Sequence, residues 1–169
     1  MKTREKEEIL ECYKRYNDMI YKLAWAYCKD KYQAEDAFQE VFFKYMKYHP
    51  RFKSPEHEKA WFIRTTINVC KNLLKSKWNR DMVQLQEWDA DDAFPGDTKD
   101  AFDSLKAAIL DLPEKYRIPI HLYYYEEYSV REIAQLLHKS ESTIQTQLQR
   151  GREKIKRQLE RSEEDAVRA

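Results

Sequence analysis

Residues 129–156 read SVREIAQLLHKSESTIQTQLQRGREKIK, and the spacing within this stretch decides the fold. Ser129-Val130-Arg131-Glu132 is an S-x-x-E pattern, in which serine and glutamate side chains accept the free backbone donors of a helix start, so a helix opens here and runs to about Leu137. A turn over His138–Ser140 follows, and Ser140 is placed to cap a long final helix that extends to about Arg161. Ile133, Ala134 and Leu137 on the first helix can pack against Ile144 and Leu148 on the second, which makes the pair a helix-turn-helix. That packing leaves Ser142, Thr143, Gln145, Thr146, Gln147 and Gln149 free near the start of the second helix. Small polar groups there reach base edges, and glutamine pairs in a bidentate way with adenine. Arg150, Arg152, Lys154, Lys156 and Arg157 follow, where phosphates would lie. A solvated pair of helices with no nucleic-acid partner would show the same core spacing.

Working outward, residues 101–112 form a further helix with Phe102, Leu105, Ile109 and Leu112 inward, and Pro113 suits the first turn of the next. Pro119 should kink that next helix or reset its start. Upstream, DMVQLQEWDADDAFPGDTKD (81–100) has no lasting helical period, contains Pro95-Gly96 and reads as a linker. Before it, a helix from about Glu5 to Cys28 carries Ile9, Tyr13, Tyr16, Ile20, Leu23 and Tyr27 at three- and four-residue steps. After a break at Lys29–Tyr32, a second helix of about 33–48 turns Ala34, Ala37, Phe38, Val41 and Tyr45 inward. Pro50 and Pro55 bracket a loop, and a third helix of about 57–77 buries Phe62, Ile67, Cys70 and Leu74. The expected fold is therefore all-α: two small helical domains, 1–80 and 101–163, joined by a flexible acidic linker at 81–100, with a tail at 164–169.

The composition agrees with helices, because 169 residues hold only 2 Gly and 5 Pro while 36% are charged. The net charge of +1 hides an asymmetry. Residues 1–80 carry 18 Lys+Arg against 11 Asp+Glu, residues 81–100 carry 1 against 7, and residues 101–161 carry 11 against 9. Basic blocks flanking an acidic one suit nucleic-acid contact by the blocks. No apolar run approaches the ~20 residues of a membrane span, so no membrane insertion is expected. Cys12, Cys28 and Cys70, odd in number and scattered, suit reduced thiols in a cytoplasm. No metal spacing, phosphate-binding glycine loop or nucleophile–base arrangement is visible, so neither an enzyme nor a cofactor is implied.

Two further stripes stand apart from the core pattern. On the third helix, Arg64, Asn68, Lys71, Lys75 and Trp78 follow one another at steps of four, three, four and three, with Trp61 just before them. Cations interleaved with Trp and an amide suit a surface that grips a backbone and stacks on unpaired bases. An amphipathic helix whose Trp residues complete the core fits equally. On the second helix, Asp36, Gln39, Glu40, Phe43 and Lys47 set a Phe in a polar stripe, which suits protein docking. A Phe tucked against a neighbouring helix would also explain it.

Taken in order, these pieces resemble the extracytoplasmic-function group of the sigma-70 family. QAEDAFQEVFFKYMKY is similar to the family's region 2.2, which implies binding of the clamp of the RNA polymerase β′ subunit by Asp36, Gln39, Glu40 and Phe43. EKAWFIRTTINVCKNLLKSKW is similar to regions 2.3–2.4, which implies promoter −10 recognition by Lys53, Lys59, Trp61, Arg64, Asn68, Lys71 and Lys75. The loop His49–Glu58 matches the family loop that captures a flipped −10 base. LDLPEKYRIPIHLYYYEEYSVREIAQLLHKSESTIQTQLQRGREKIK resembles region 4. It implies −35 recognition by Ser140, Ser142, Thr143, Gln145, Thr146, Gln147, Arg150, Arg152 and Lys154. The resemblance further implies polymerase core (β′ and β) and promoter DNA as partners, an anti-sigma factor as regulator, and no catalysis by the chain itself. Where the family usually has Gly, Glu127 and His138 stand, at turns that can require positive φ. A stand-alone helix-turn-helix regulator, needing only residues 101–161, is the competing expectation.

Overall fold

The computed structural model describes residues 2–80 and 102–168, excluding the side chains of 77–80 and 102–103. The expected linker 81–100 and the side chain of Trp78 lie outside the described residues. Among those residues there are seven helices and no strand: α1 (Thr3–Cys28), α2 (Lys31–Tyr48), α3 (Pro55–Arg80), α4 (Phe102–Leu110), α5 (Glu114–Tyr124), α6 (Val130–Leu137) and α7 (Glu141–Arg168). The chain divides into two compact units, Met1–Phe94 and Pro95–Ala169.

The first unit is a three-helix assembly in which every pair of helices packs. Cys12, Tyr16, Ile20, Leu23 and Tyr27 form the inward stripe of α1, and near its end all of Leu23–Cys28 is buried. Cys12 takes the inward position expected of Tyr13. Tyr13 is exposed and meets Phe38 and Phe42 at ring separations of 5.9 and 5.4 Å. Lys29 ends α1 in the left-handed region, and the Asp30 carboxylate accepts the Gln33 N–H at 3.0 Å to start α2. Ala34 and Ala37, fully buried, let α2 approach its neighbours closely, beside buried Val41 and Phe42. Phe38 and Tyr45, expected inside, are half-buried. On α3 the core runs through Phe62, Ile63, Thr66, Ile67, Val69 and Cys70, while Leu74 is only half-buried.

In the second unit, Pro113 precedes α5, and its carbonyl accepts the Tyr116 and Arg117 N–H groups at 2.9 Å each. Pro119 lies inside α5 and is buried, so the helix start is not reset there. The α6–α7 pair buries Ile133, Ala134 and Leu136 against Ile144 and Leu148, with Leu136 in place of the expected Leu137. Helix α7 continues to Arg168, beyond its expected end at about Arg161. Glu127 and His138, the two positions where glycine was expected, have φ of 57° and 54°.

Gly151 does its work in the interior of α7. A Cβ there would meet Ile120 Cγ1 at 3.0 Å, Ile120 Cδ1 at 3.3 Å and Tyr116 Cβ at 3.5 Å. Its missing side chain thus sets how closely α5 and α7 approach. Gly151→Leu should destabilise the second unit by about 1–3 kcal/mol through overpacking, despite leucine's better helix propensity. Urea titration of the variant tests this, and an unchanged midpoint would mean that the two helices separate freely.

Candidate functional site

The turn of the helix-turn-helix is built from its caps. Ser129 Oγ accepts the Glu132 N–H at 3.2 Å and donates to Glu132 Oε1 at 3.1 Å. His138 closes α6 in the left-handed region, its N–H donating to the Ala134 carbonyl. Ser140 Oγ accepts the Thr143 N–H at 3.2 Å and lies 2.8 Å from Thr143 Oγ1, and Thr146 Oγ1 donates to the Ser142 carbonyl at 3.0 Å. Ser140 at the cap and Ser142, Thr143, Gln145, Thr146 and Arg150 on the first three turns of α7 are exposed.

Gln147 is the exception among the expected −35 residues. It is buried, 8% exposed, and among the described residues its Oε1 has no hydrogen-bond partner. Ile144, Gln147, Leu148 and Gly151 follow at steps of three, one and three, which puts Gln147 on the packing face of α7 rather than the free one. Arg150, Arg152 and Lys154 are exposed but already engaged with α5, Arg150 by donating a hydrogen bond to the Tyr116 phenol. Arg152 Nη1 donates to Tyr124 Oη at 3.1 Å, and Lys154 Nζ lies 5.8 Å from the Tyr116 ring centre.

On α3, Arg64, Asn68, Lys71 and Lys75 are all exposed along one face. Trp61 is half-buried, with Tyr45, Phe52 and Phe62 at ring separations of 6.1, 5.9 and 5.0 Å. Lys53 is exposed in the preceding loop and Lys59 is half-buried. Ser54 caps α3 by accepting the His57 N–H at 3.1 Å, with Pro55 at the first helical position. The first turn of α3 is tied to α1, where Arg15 Nη1 donates to Glu58 Oε1 at 2.9 Å.

Burial, reinforced by its hydrogen bond to Glu58, pushes the Tyr16 phenol up to about 12 from its usual 10. The unfolded chain ionises this group near its usual value. Its contribution is therefore complete below pH ~10 and is lost as pH climbs from about 10 towards about 12. Tyr16→Phe should remove that part of the alkaline loss of stability. Urea midpoints measured at several pH values across this window check it, and parallel falls in parent and variant would contradict it.

Asp36, Gln39, Glu40 and Phe43 of α2 come together at the mouth of a groove of about 910 Å³. Its other walls are Ile9 and Tyr13 of α1 and Val69, Asn72 and Leu73 of α3. Phe43 is 54% exposed, so it is not tucked against a neighbouring helix. Glu40 keeps an i,i+4 contact with Lys44 at 3.8 Å, and the three polar side chains remain exposed.

A second groove, of about 440 Å³, was missed from the sequence. Leu105, Ile109, Ile120, Ile155 and Leu159 form its floor, with Tyr124, Tyr125 and Arg152 at its rim. The signal was the continued apolar step Leu148, Ile155, Leu159 on α7, together with the unusual run Tyr123–Tyr125.

Residues 12–80 match sigma-70 region 2, and residues 102–155 match sigma-70 region 4. The chain belongs to the sigma-70 family of RNA polymerase sigma factors, in its extracytoplasmic-function (ECF) group, the class of promoter-specificity subunits. Among its relatives, the ECF RNA polymerase sigma factor SigW of Bacillus subtilis (strain 168) is 27% identical over 158 residues, covering 85% of this chain and 84% of the relative. The RNA polymerase sigma factor SigV of the same organism is 26% identical, covering 94% and 95%. The fold is shared with the sigma factor RpoE from Bartonella quintana, solved with the anti-sigma factor NepR. The TM-score is 0.72 at 19% identity, covering 94% of this chain and 98% of that one. Among the described residues, no helix is long and apolar enough to cross a membrane.

Proposed function

We propose that residues 1–80 dock on polymerase core and open the −10 element, that residues 101–163 read the −35 duplex, and that 81–100 tether the two. The exposed stripe Arg64, Asn68, Lys71 and Lys75 carries this reading, since it lies in the same unit as the groove of Asp36, Gln39, Glu40 and Phe43. One small unit thereby has a basic face for nucleic acid and an apolar, acid-rimmed groove for the enzyme. Extruded −10 bases lose stacking worth a few kcal/mol, which aromatic contacts near Trp61 and pairing to Asn68 offset. Lys53 and Lys59 serve the same strand through its phosphates.

In the second unit Ser140, Ser142, Thr143, Gln145, Thr146 and Arg150 meet the −35 duplex. Arg150, Arg152 and Lys154 contribute to phosphates only as far as their contacts with α5 release them. The groove beneath Tyr124 and Tyr125 receives an apolar element of the polymerase β subunit. Polymerase supplies the chemistry, and the chain works in the cytoplasm without catalysis of its own. An anti-sigma factor, as bound by RpoE of Bartonella quintana, would act by covering these surfaces.

Core polymerase plus this chain should give discrete run-off transcripts whose start sites share −10 and −35 sequences. Failure of the chain to co-elute with core would end this reading. A stand-alone regulator would need only the second unit, and it leaves the region 2 match over residues 12–80 without a purpose.

A further inference from the structure

We propose that His57 is a positioning residue that latches the 49–54 loop so that Phe52 and Trp61 are held ready for an extruded base. The inference rests on the reading of this loop and α3 as the −10 surface. His57 Nδ1 accepts the Lys53 N–H at 3.2 Å. A backbone N–H only donates, so Nδ1 is the acceptor in this contact. In the usual capping box a Glu or Gln at this helix position reaches back to the N–H of the capping residue. Here a histidine occupies it and reaches one residue further, past Ser54 to Lys53.

The helix start does not depend on that extra bond, because Ser54 already caps α3 through its Oγ at 3.1 Å and its carbonyl accepts the Glu58 N–H at 3.1 Å. What the bond adds is a fixed backbone immediately after Phe52. The Phe52 ring then stands edge-on to His57 at 5.6 Å and 87°, and to Trp61 at 5.9 Å and 60°. At its other end the loop is pinned by His49, whose φ is 44° and whose N–H donates to the Tyr45 carbonyl at 3.1 Å. With both ends fixed, the half-buried Phe52 and Trp61 rings form a preset edge rather than one assembled on binding. His57 itself is exposed, so its contact with Lys53 is not a by-product of core packing.

Three substitutions separate the hydrogen bond from the bulk of the ring. His57→Asn keeps an acceptor where Nδ1 stood, His57→Gln moves the acceptor outward, and His57→Leu keeps apolar volume with no acceptor. The assay uses full-length chain with polymerase core on a promoter identified from its run-off starts, with 2-aminopurine replacing single −10 adenines of the non-template strand. We expect the Leu and Gln variants to slow the fluorescence rise on opening by about tenfold, and the Asn variant to stay within about threefold of the parent. Core affinity should be the same for all. A Leu variant that opens as fast as the parent overturns the latch, as does an Asn variant as slow as the Leu one. If the Leu variant is too unstable to bind core, the Asn–Gln pair decides. A parent chain that yields transcripts without a 2-aminopurine signal at any −10 adenine overturns the −10 reading itself, a distinct failure.

Discussion

Reversing Asp36 and Glu40 together (Asp36→Lys, Glu40→Lys) should weaken association with polymerase core by at least about 100-fold. Both carboxylates rim the groove that Phe43 enters from α2. Removing one member of a desolvated charge pair at an interface costs about 2–5 kcal/mol, and reversal adds repulsion, while tenfold in affinity needs only about 1.4 kcal/mol. The fold should be spared, because both residues are exposed and Glu40 makes a 3.8 Å contact with Lys44 within its own helix. Such an i,i+4 pair contributes about 0.2–0.5 kcal/mol. Anisotropy of labelled chain titrated with core measures the effect, and urea midpoints confirm folding. An affinity within threefold of the parent, at normal stability, would remove the groove from the docking surface.

Arg64→Ala combined with Lys71→Ala should leave core binding intact and reduce stable promoter opening by roughly 10- to 100-fold at moderate salt. Each neutralised phosphate contributes close to one unit to the slope of log affinity against log salt, so the double variant should lose about one to two units of slope. Asn68→Ala should behave differently. It should weaken discrimination at one −10 position with little change in slope, because an amide reads an edge and releases no counterion. Salt-dependent opening assays on promoters altered one base at a time separate the two signatures. Equal slopes for parent and double variant would show that these cations do not meet phosphate.

Most of the fold was legible because its signals were local. Ser129 and Ser140 place the starts of the two helices of the helix-turn-helix, and steps of three and four place Tyr16, Ile20, Leu23 and Ile144 inward. Positive φ at Glu127 and His138 was readable because glycine was expected there and absent. Errors arose where two neighbouring residues were both plausible. Cys12 rather than Tyr13 and Leu136 rather than Leu137 reach the interior, each shifted by a fraction of a turn that only tertiary packing decides, while on α2 Phe42, about one turn beyond the expected Phe38, is the more deeply buried. Gln147 was misplaced because its polarity outweighed its spacing from Ile144, although the spacing determined its burial. The engagement of Arg152 with Tyr124 and the bond from Lys53 to His57 join residues whose pairing no periodicity encodes.

Helix α3 lends Val69, Asn72 and Leu73 to the groove, while Arg64, Asn68, Lys71 and Lys75 lie exposed roughly a third of a turn further round the same rod. Enzyme and promoter strand would therefore be held about one helix width apart, with no joint between them to absorb error. A lesion that rotates or shortens this rod would harm both engagements at once, whereas a lesion confined to one side chain would harm only one. Genetic screens for separable defects should accordingly return surface substitutions on α3 and almost none from Phe62, Ile63 or Thr66.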